Sequence, residues 1–205
     1  MTAHAITSIT NFLLAAEVFF LAGRMSGTPK VRLSAAWYFS GVLLLLGVAA
    51  LLGGIDHGFF EPANLPSYLI QRSGWIVMGG VTFCLLMTTA KQFFPPELQR
   101  VALLAAVVQF AADTAAVLWI DSFLDVILNY APVMLLLLAM SSIGLRNGRG
   151  SPQMVAGILS LFAASGIQAA GVDVFSPLDR NGLYHLGSMV GVGFLYCGGV
   201  RLRTK

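Results

Sequence analysis

Seven apolar stretches, each long enough to cross a membrane, dominate this sequence of 205 residues. A helix needs about 20 apolar residues to span the roughly 30 Å hydrocarbon core of a bilayer. Only 10% of the residues are charged, whereas soluble globular domains carry about 25%. The sequence therefore excludes a water-soluble monomer and predicts an integral membrane protein.

The stretches predict an all-α fold in which residues 1–205 form a single seven-helix transmembrane domain. The predicted spans are Ala5–Arg24, Leu33–Gly54, Leu69–Ala90, Leu98–Trp119, Phe123–Leu145, Met154–Val174 and Gly182–Leu202. Most of the connections between them contain Gly, Pro, Ser or Asn, which interrupt helices. A β-barrel is excluded, since strands of alternating hydrophobicity do not occur in the sequence.

The basic residues predict the orientation, because Lys and Arg concentrate in the cytoplasmic loops of membrane proteins. Ten of the twelve fall on one side of the predicted membrane: Arg24, Lys30, Arg32, Lys91, Arg100, Arg146, Arg149, Arg201, Arg203 and Lys205. We therefore expect the N-terminus outside and the C-terminus in the cytoplasm, in a bacterial inner membrane. The net charge of +3 is then explained by this asymmetry, and no surface remains for nucleic acid.

Polar residues inside the spans are the candidate functional residues, because ionisable groups within a membrane are costly and face the protein interior or a cavity. The rise of 1.5 Å per residue places most of them in one layer, in the outer half of the bundle. The layer comprises Asn11, Asp56, His57, Arg72, Asp113, Asn129, Gln168, Asp173, Tyr184 and His185. Arg72 is expected to neutralise Asp113 or Asp56. Glu17 stands apart, near the cytoplasmic end of the first span.

Two local patterns suggest a family. The second span ends in Gly53-Gly54-Ile55-Asp56-His57, and the last span begins Gly182-Leu183-Tyr184-His185. A histidine at each of these places resembles the alkaline ceramidase and adiponectin-receptor superfamily of seven-span hydrolases, through small bacterial seven-span proteins. The resemblance implies an intramembrane zinc-dependent hydrolase that acts on an amide or ester bond of a membrane lipid.

The sequence departs from the motifs of that superfamily at three places. Gly53 replaces the serine that precedes the first histidine, Met189 replaces the second histidine of the last span, and the third span has no aspartate. Zinc would then need His57, His185 and a carboxylate, of which Asp173 is the preferred one. The remaining carboxylates among Asp56, Asp113 and Asp173 would serve as catalytic base. Met189 as a ligand would instead suit copper.

Two other functions stay open. The same polar layer can form the ligand pocket of a non-catalytic receptor, sensor or small-molecule binder. A proton-coupled transporter would use Glu17 and Asp113 as steps, although the sequence shows no internal repeat. The spacing Gly187-x-x-x-Gly191 in the last span is expected to serve helix packing within the bundle.

Overall fold

A computed structural model of the chain describes residues 3–27, 31–60, 65–171 and 178–203. These residues form seven α-helices and no strand. The helices are α1 (Ala3–Ser26), α2 (Ala35–Ile55), α3 (Leu65–Phe93), α4 (Pro96–Trp119), α5 (Phe123–Gly144), α6 (Pro152–Ala169) and α7 (Arg180–Gly199). The prediction of an all-helical fold with seven helices is confirmed.

Six of the helices in the described part of the chain, α1 to α6, are long and apolar enough to cross a membrane. The six are compatible with an integral membrane protein. Helix α7 is not among them, since it contains six glycines as well as Arg180, Asn181 and His185. Hydropathy therefore supports six spans where the sequence predicted seven. The sixth predicted span, Met154–Val174, ends as a helix at Ala169.

Polar side chains fix the first turns of several helices. Ser34 accepts a hydrogen bond from the backbone of α2, Ser122 from α5, Ser151 from α6 and Asp179 from α7. Each satisfies an N–H group that has no partner within its helix. Short polar connections thus set where these helices begin.

Helices α6 and α7 approach closely through small residues. A Cβ at Gly187 would lie 2.9 Å from the Cβ of Ala164, and one at Gly191 would lie 2.8 Å from Leu161. Gly157 faces the carbonyl of Gly191 in the same way. The glycine spacing in α7 serves packing against α6, as the sequence predicts.

Odd-numbered helices begin, and even-numbered helices end, at one end of the bundle, here called the N-terminal end. At the opposite end, Arg149 donates to the carbonyls of Gln92 and Phe93 at 3.0 and 3.1 Å, which closes the last turn of α3. Gln92 also accepts from the backbone of Arg203, and the Arg203 carbonyl accepts from Ala36 at the start of α2. The C-terminal segment therefore ties α2 to α3.

Candidate functional site: a polar cavity at the N-terminal end

A cavity of about 320 Å³ lies near the N-terminal end of the bundle. Its walls are mostly apolar and include Leu14, Leu46, Trp75, Met78 and Phe123. Its polar groups come from five segments of the chain: Asn11, Asp56, His57, Gln71, Gln168, Tyr184 and His185. Six of these seven belong to the polar layer predicted from the sequence. The structure therefore brings the two histidines into one site.

A π-helical turn, Asp56–Phe60, continues α2 and carries Asp56 and His57. Turns of this kind are rare and often mark functional sites, because they change the direction of side chains within a helix. The Asp56 side chain is buried, and its Oδ1 accepts a hydrogen bond from Ser67 Oγ at 2.5 Å. Ser8 of α1 donates to the carbonyl of Gly54, just before the turn, at 2.8 Å. Hydrogen bonds from two other helices thus hold this turn in place.

The Gly53–Gly54 pair lets α1 approach this part of α2. A Cβ at residue 53 would lie 3.3 Å from Asn11 Oδ1, and one at residue 54 would lie 2.9 Å from the ring of Phe12. Asn11 is thereby held against the cavity wall. The glycine at position 53, where the resemblance leads one to expect serine, therefore has a packing role here.

The ring of His185 is positioned by a contact with α1. Its Nδ1 lies 2.9 Å from Thr10 Oγ1, and the same hydroxyl lies 2.9 Å from the carbonyl of Ile6. The same hydroxyl lies 3.0 Å from the carbonyl of Thr7, and its single proton suits either carbonyl, so we infer that Thr10 accepts from Nδ1–H of His185. Nε2 of His185 then carries the lone pair, the state in which an imidazole accepts hydrogen bonds or binds metal.

Further contacts at the N-terminal end fix the start of α7. Asp179 accepts from the backbone N–H of Gly182 at 2.8 Å and from Thr7 Oγ1 at 3.2 Å. Gln168 donates to Asn181 Oδ1 at 3.0 Å, which joins α6 to α7. His57 and Asp179 both lie within electrostatic range of the His185 imidazole. The two histidines are therefore neighbours on a well-anchored scaffold.

The described residues only partly fit a zinc site. His57, His185 and Asp56 line the same cavity, and these are suitable ligand types. Within the described ranges, however, no three His, Cys, Asp or Glu side chains are grouped so as to hold a metal ion. Asp173, the predicted third ligand and candidate base, lies outside the described residues. A zinc site in this cavity would therefore need a further ligand, such as a residue outside the described ranges.

The structure divides the predicted polar layer into two groups. Asp113 and Asn129 do not line the cavity. Asn129 instead lies between α3 and α4, where it accepts from Gln109 at 2.6 Å and donates toward Thr82 at 3.4 Å. Depth along a helix, which the sequence gives, does not determine the direction in which a side chain faces.

Arg72 has a different partner from those expected. Its Nη2 lies 2.9 Å from Asp121, not beside Asp56 or Asp113, so that expectation is wrong. Its Nη1 donates to the carbonyls of Val117 and Ile120 at the end of α4. Arg72 therefore closes the C-terminal turn of α4, where four carbonyls lack partners within the helix.

Two further candidates lie outside the cavity lining. Glu17 is half-buried between α1 and α7, and its Oε1 would lie 3.8 Å from a Cβ placed on Gly193. Met189 is half-buried and packs against the cluster of buried apolar side chains in the middle of the bundle. Neither residue contributes to the cavity.

One family matches this chain over nearly its whole length, residues 6–204, and it is described as a family of unknown function, DUF6962. The chain belongs to DUF6962. No curated protein and no solved structure matches it.

Several residues of this site do not follow from the sequence patterns. Gln71 lines the cavity, Thr10 fixes the His185 ring, and Ser67 bonds to Asp56. A sequence signal existed for Thr10, because it neighbours the candidate Asn11 in the same turn of α1. Ser67 gave no such signal, since it bonds across a connection whose conformation the sequence does not specify.

Proposed function

We propose that this protein binds a small amphipathic molecule in the cavity at the N-terminal end of the bundle. The observation that supports this proposal is the combination of apolar walls with a cluster of polar groups in one pocket. Ligand pockets are usually of this kind, with a few placed polar groups that fix the orientation of the ligand. A receptor, sensor or carrier role follows from such binding.

The size of the cavity limits the ligand. Its volume of about 320 Å³ is at the lower end of the range of roughly 300–1,000 Å³ for ligand pockets. It suits a small molecule, or one end of a lipid, rather than a whole phospholipid. The polar end of that ligand would contact His57, His185 and Gln168, and its apolar part would lie against Leu46 and Trp75.

We further propose that the chain crosses a bacterial inner membrane seven times, with the cavity facing the outside. Arg24, Arg149, Arg201 and Arg203 all lie at the opposite end of the bundle, which supports a cytoplasmic location for that end. Helix α7 would be the seventh span. Two of its polar residues, His185 and Asn181, contact α1, α6 and the cavity, which would shelter them from lipid.

A cavity-filling pair of variants tests ligand binding. Gly74 lines the cavity, and a Cβ there would have only one neighbour within 4 Å, Leu52 at 3.9 Å. Gly74→Leu should therefore fill the pocket without a backbone collision. Gly23 has open space around it and lies outside the cavity, so Gly23→Leu is the matched control.

The measurement is native mass spectrometry of protein purified from its own membranes in mild detergent. We expect a small molecule to be retained by the wild type and by Gly23→Leu, and to be lost from Gly74→Leu. Equal retention by all three proteins, or no retained molecule in any of them, would contradict the proposal.

A metal-dependent lipid hydrolase is the second candidate. The observation that favours it is that His57 and His185, the two residues on which the resemblance to seven-span hydrolases rests, share the cavity with Asp56. Metal analysis by plasma mass spectrometry separates this candidate from the first. The hydrolase is favoured if the wild type contains about one zinc per chain and the double variant His57→Ala/His185→Ala contains none. The binder is favoured if the wild type is free of zinc and retains a ligand.

A further inference from the structure

A second polar site lies between α3, α4 and α5, apart from the cavity. Gln109 of α4 donates to Asn129 of α5 at 2.6 Å, which fixes how these antiparallel helices face each other. Asp113 lies four residues after Gln109, and Asp125 lies four residues before Asn129. Residues four apart share a helix face, so Asp113 faces Asp125. Their carboxylates indeed interact electrostatically.

Helix α3 forms the third wall of this site, and Asp113 packs directly against its backbone. Thr82 accepts from Asn129, and Gly79 lies about one turn away on the same side of α3. A Cβ on Gly79 would collide with Asp113 Oδ2. The carboxylate therefore points toward a place where α3 has no side chain. One turn nearer the N-terminal end, Trp75 of α3 packs on Phe123, with ring centroids 6.0 Å apart.

Three oxygen atoms in this site are buried and have no hydrogen-bond partner among the described residues: Asp113 Oδ2, Asp125 Oδ2 and Gln109 Oε1. The Asp113 side chain is only 6% exposed. The guanidinium of Arg72 is engaged with the end of α4 and with Asp121. Two facing carboxylates that are removed from water repel each other and lose solvation, which favours the uptake of a proton or of a bound cation.

We propose that Asp113, Asp125 and Gln109 bind a hard divalent cation, Ca²⁺ or Mg²⁺. The donors are all oxygen atoms, the ligands that these cations prefer, and waters complete their coordination. Two carboxylates and one divalent cation give a neutral unit, which costs less in a medium of low dielectric constant than two unpaired carboxylates. Bound between α4 and α5, the cation joins these two helices to each other and to α3.

The test is a titration of purified protein in detergent, after treatment with EDTA, with CaCl₂ and separately with MgCl₂ at constant ionic strength. Calorimetry gives stoichiometry and affinity, and thermal unfolding gives Tm. We expect one cation per chain and, at about 100 times Kd, a rise in Tm of at least about 5 °C. We expect Asp113→Asn and Asp125→Asn each to lower the affinity at least about tenfold.

Glu17→Gln is the matched control. Glu17 is also a half-buried carboxyl with an oxygen that lacks a hydrogen bond, but it lies between α1 and α7. This variant should bind the cation as the wild type does. In EDTA, both aspartate variants should be at least as stable as the wild type, because each removes the repulsion between the carboxylates. If Asp113→Asn does not fold, the cation affinity of Asp125→Asn tests the proposal alone. Asp125 is only half-buried, so its substitution disturbs the packing less.

Two results would overturn the proposal. The first is no binding of either cation by the wild type, which would mean that a shared proton neutralises the two carboxylates. The second is equal binding by the wild type and by both aspartate variants, which would place the cation elsewhere. Because the ligand cavity is lined by other residues, neither result bears on the proposed ligand.

Discussion

Replacing Arg72 by methionine tests whether this residue acts as a helix cap or as an ion-pair partner. Its guanidinium donates to two carbonyls at the end of α4. It also lies 4.7 Å from the ring centroid of Tyr68, 4.8 Å from that of Trp75 and 2.9 Å from Asp121. Methionine preserves an unbranched apolar stem and removes the guanidinium with all its polar contacts.

General values for each type of contact give the size of the expected loss. Hydrogen bonds from charged donors contribute about 1.5–3 kcal/mol in soluble proteins, and side-chain bonds in membranes average about 0.6 kcal/mol. Each cation–π contact adds about 0.5–1 kcal/mol. Such contributions are not additive, so we expect Arg72→Met to lower the free energy of unfolding by about 3 kcal/mol. The Asp121 side chain is 72% exposed, so Asp121→Asn should cost less than about 1 kcal/mol.

The assay is reversible unfolding in mixed detergent micelles, followed by tryptophan fluorescence, for the wild type and both variants. Arg72→Lys is the third variant, because it keeps the charge but not the two-pronged geometry of the guanidinium. It should fall between the wild type and Arg72→Met. Equal losses from Arg72→Met and Asp121→Asn would refute the cap and assign the stability to the ion pair.

Two further changes have defined outcomes. Thr10→Val should lower the free energy of unfolding by about 1 kcal/mol. It should also leave the His185 imidazole as a mixture of its two neutral tautomers, which nitrogen-15 spectra of the ring would show. An unchanged Nδ1–H signal would contradict the assigned donor. Gly191→Val should lower the free energy of unfolding by about 1–3 kcal/mol through collision with Leu161. Gly23→Ala, in open space within α1, should leave it unchanged or raise it by up to about 1 kcal/mol. Denaturation curves measured side by side would show whether these costs differ.

The number and approximate positions of the helices follow from the sequence, because length and hydrophobicity are properties of the chain itself. The start of α5 at Phe123 and the end of α4 at Trp119 agree with the predicted spans. The extension of α2 by a π-helical turn was not predicted. This turn depends on hydrogen bonds from Ser8 and Ser67, which belong to other helices.

The candidate site was predicted in part. Asn11, Asp56, His57 and His185 were chosen because of their depth within the predicted spans, and the structure places all four on one cavity. Asp113 was chosen by the same criterion, yet it lies in a different site between α3, α4 and α5. The sequence gives the depth of a residue through the helical rise. The direction of its side chain depends on how the helices rotate against each other.

The sequence by itself determined that the chain forms long apolar helices whose few polar residues must be sheltered from lipid, because hydrophobicity and charge act locally along a helix. Only the tertiary structure decided which polar residues meet. Glycines at residues 53, 79 and 191 set how closely neighbouring helices approach, and hydrogen bonds such as Thr10–His185 and Gln109–Asn129 fix their rotation. These contacts join residues 20 to 175 positions apart, so no local pattern specifies them.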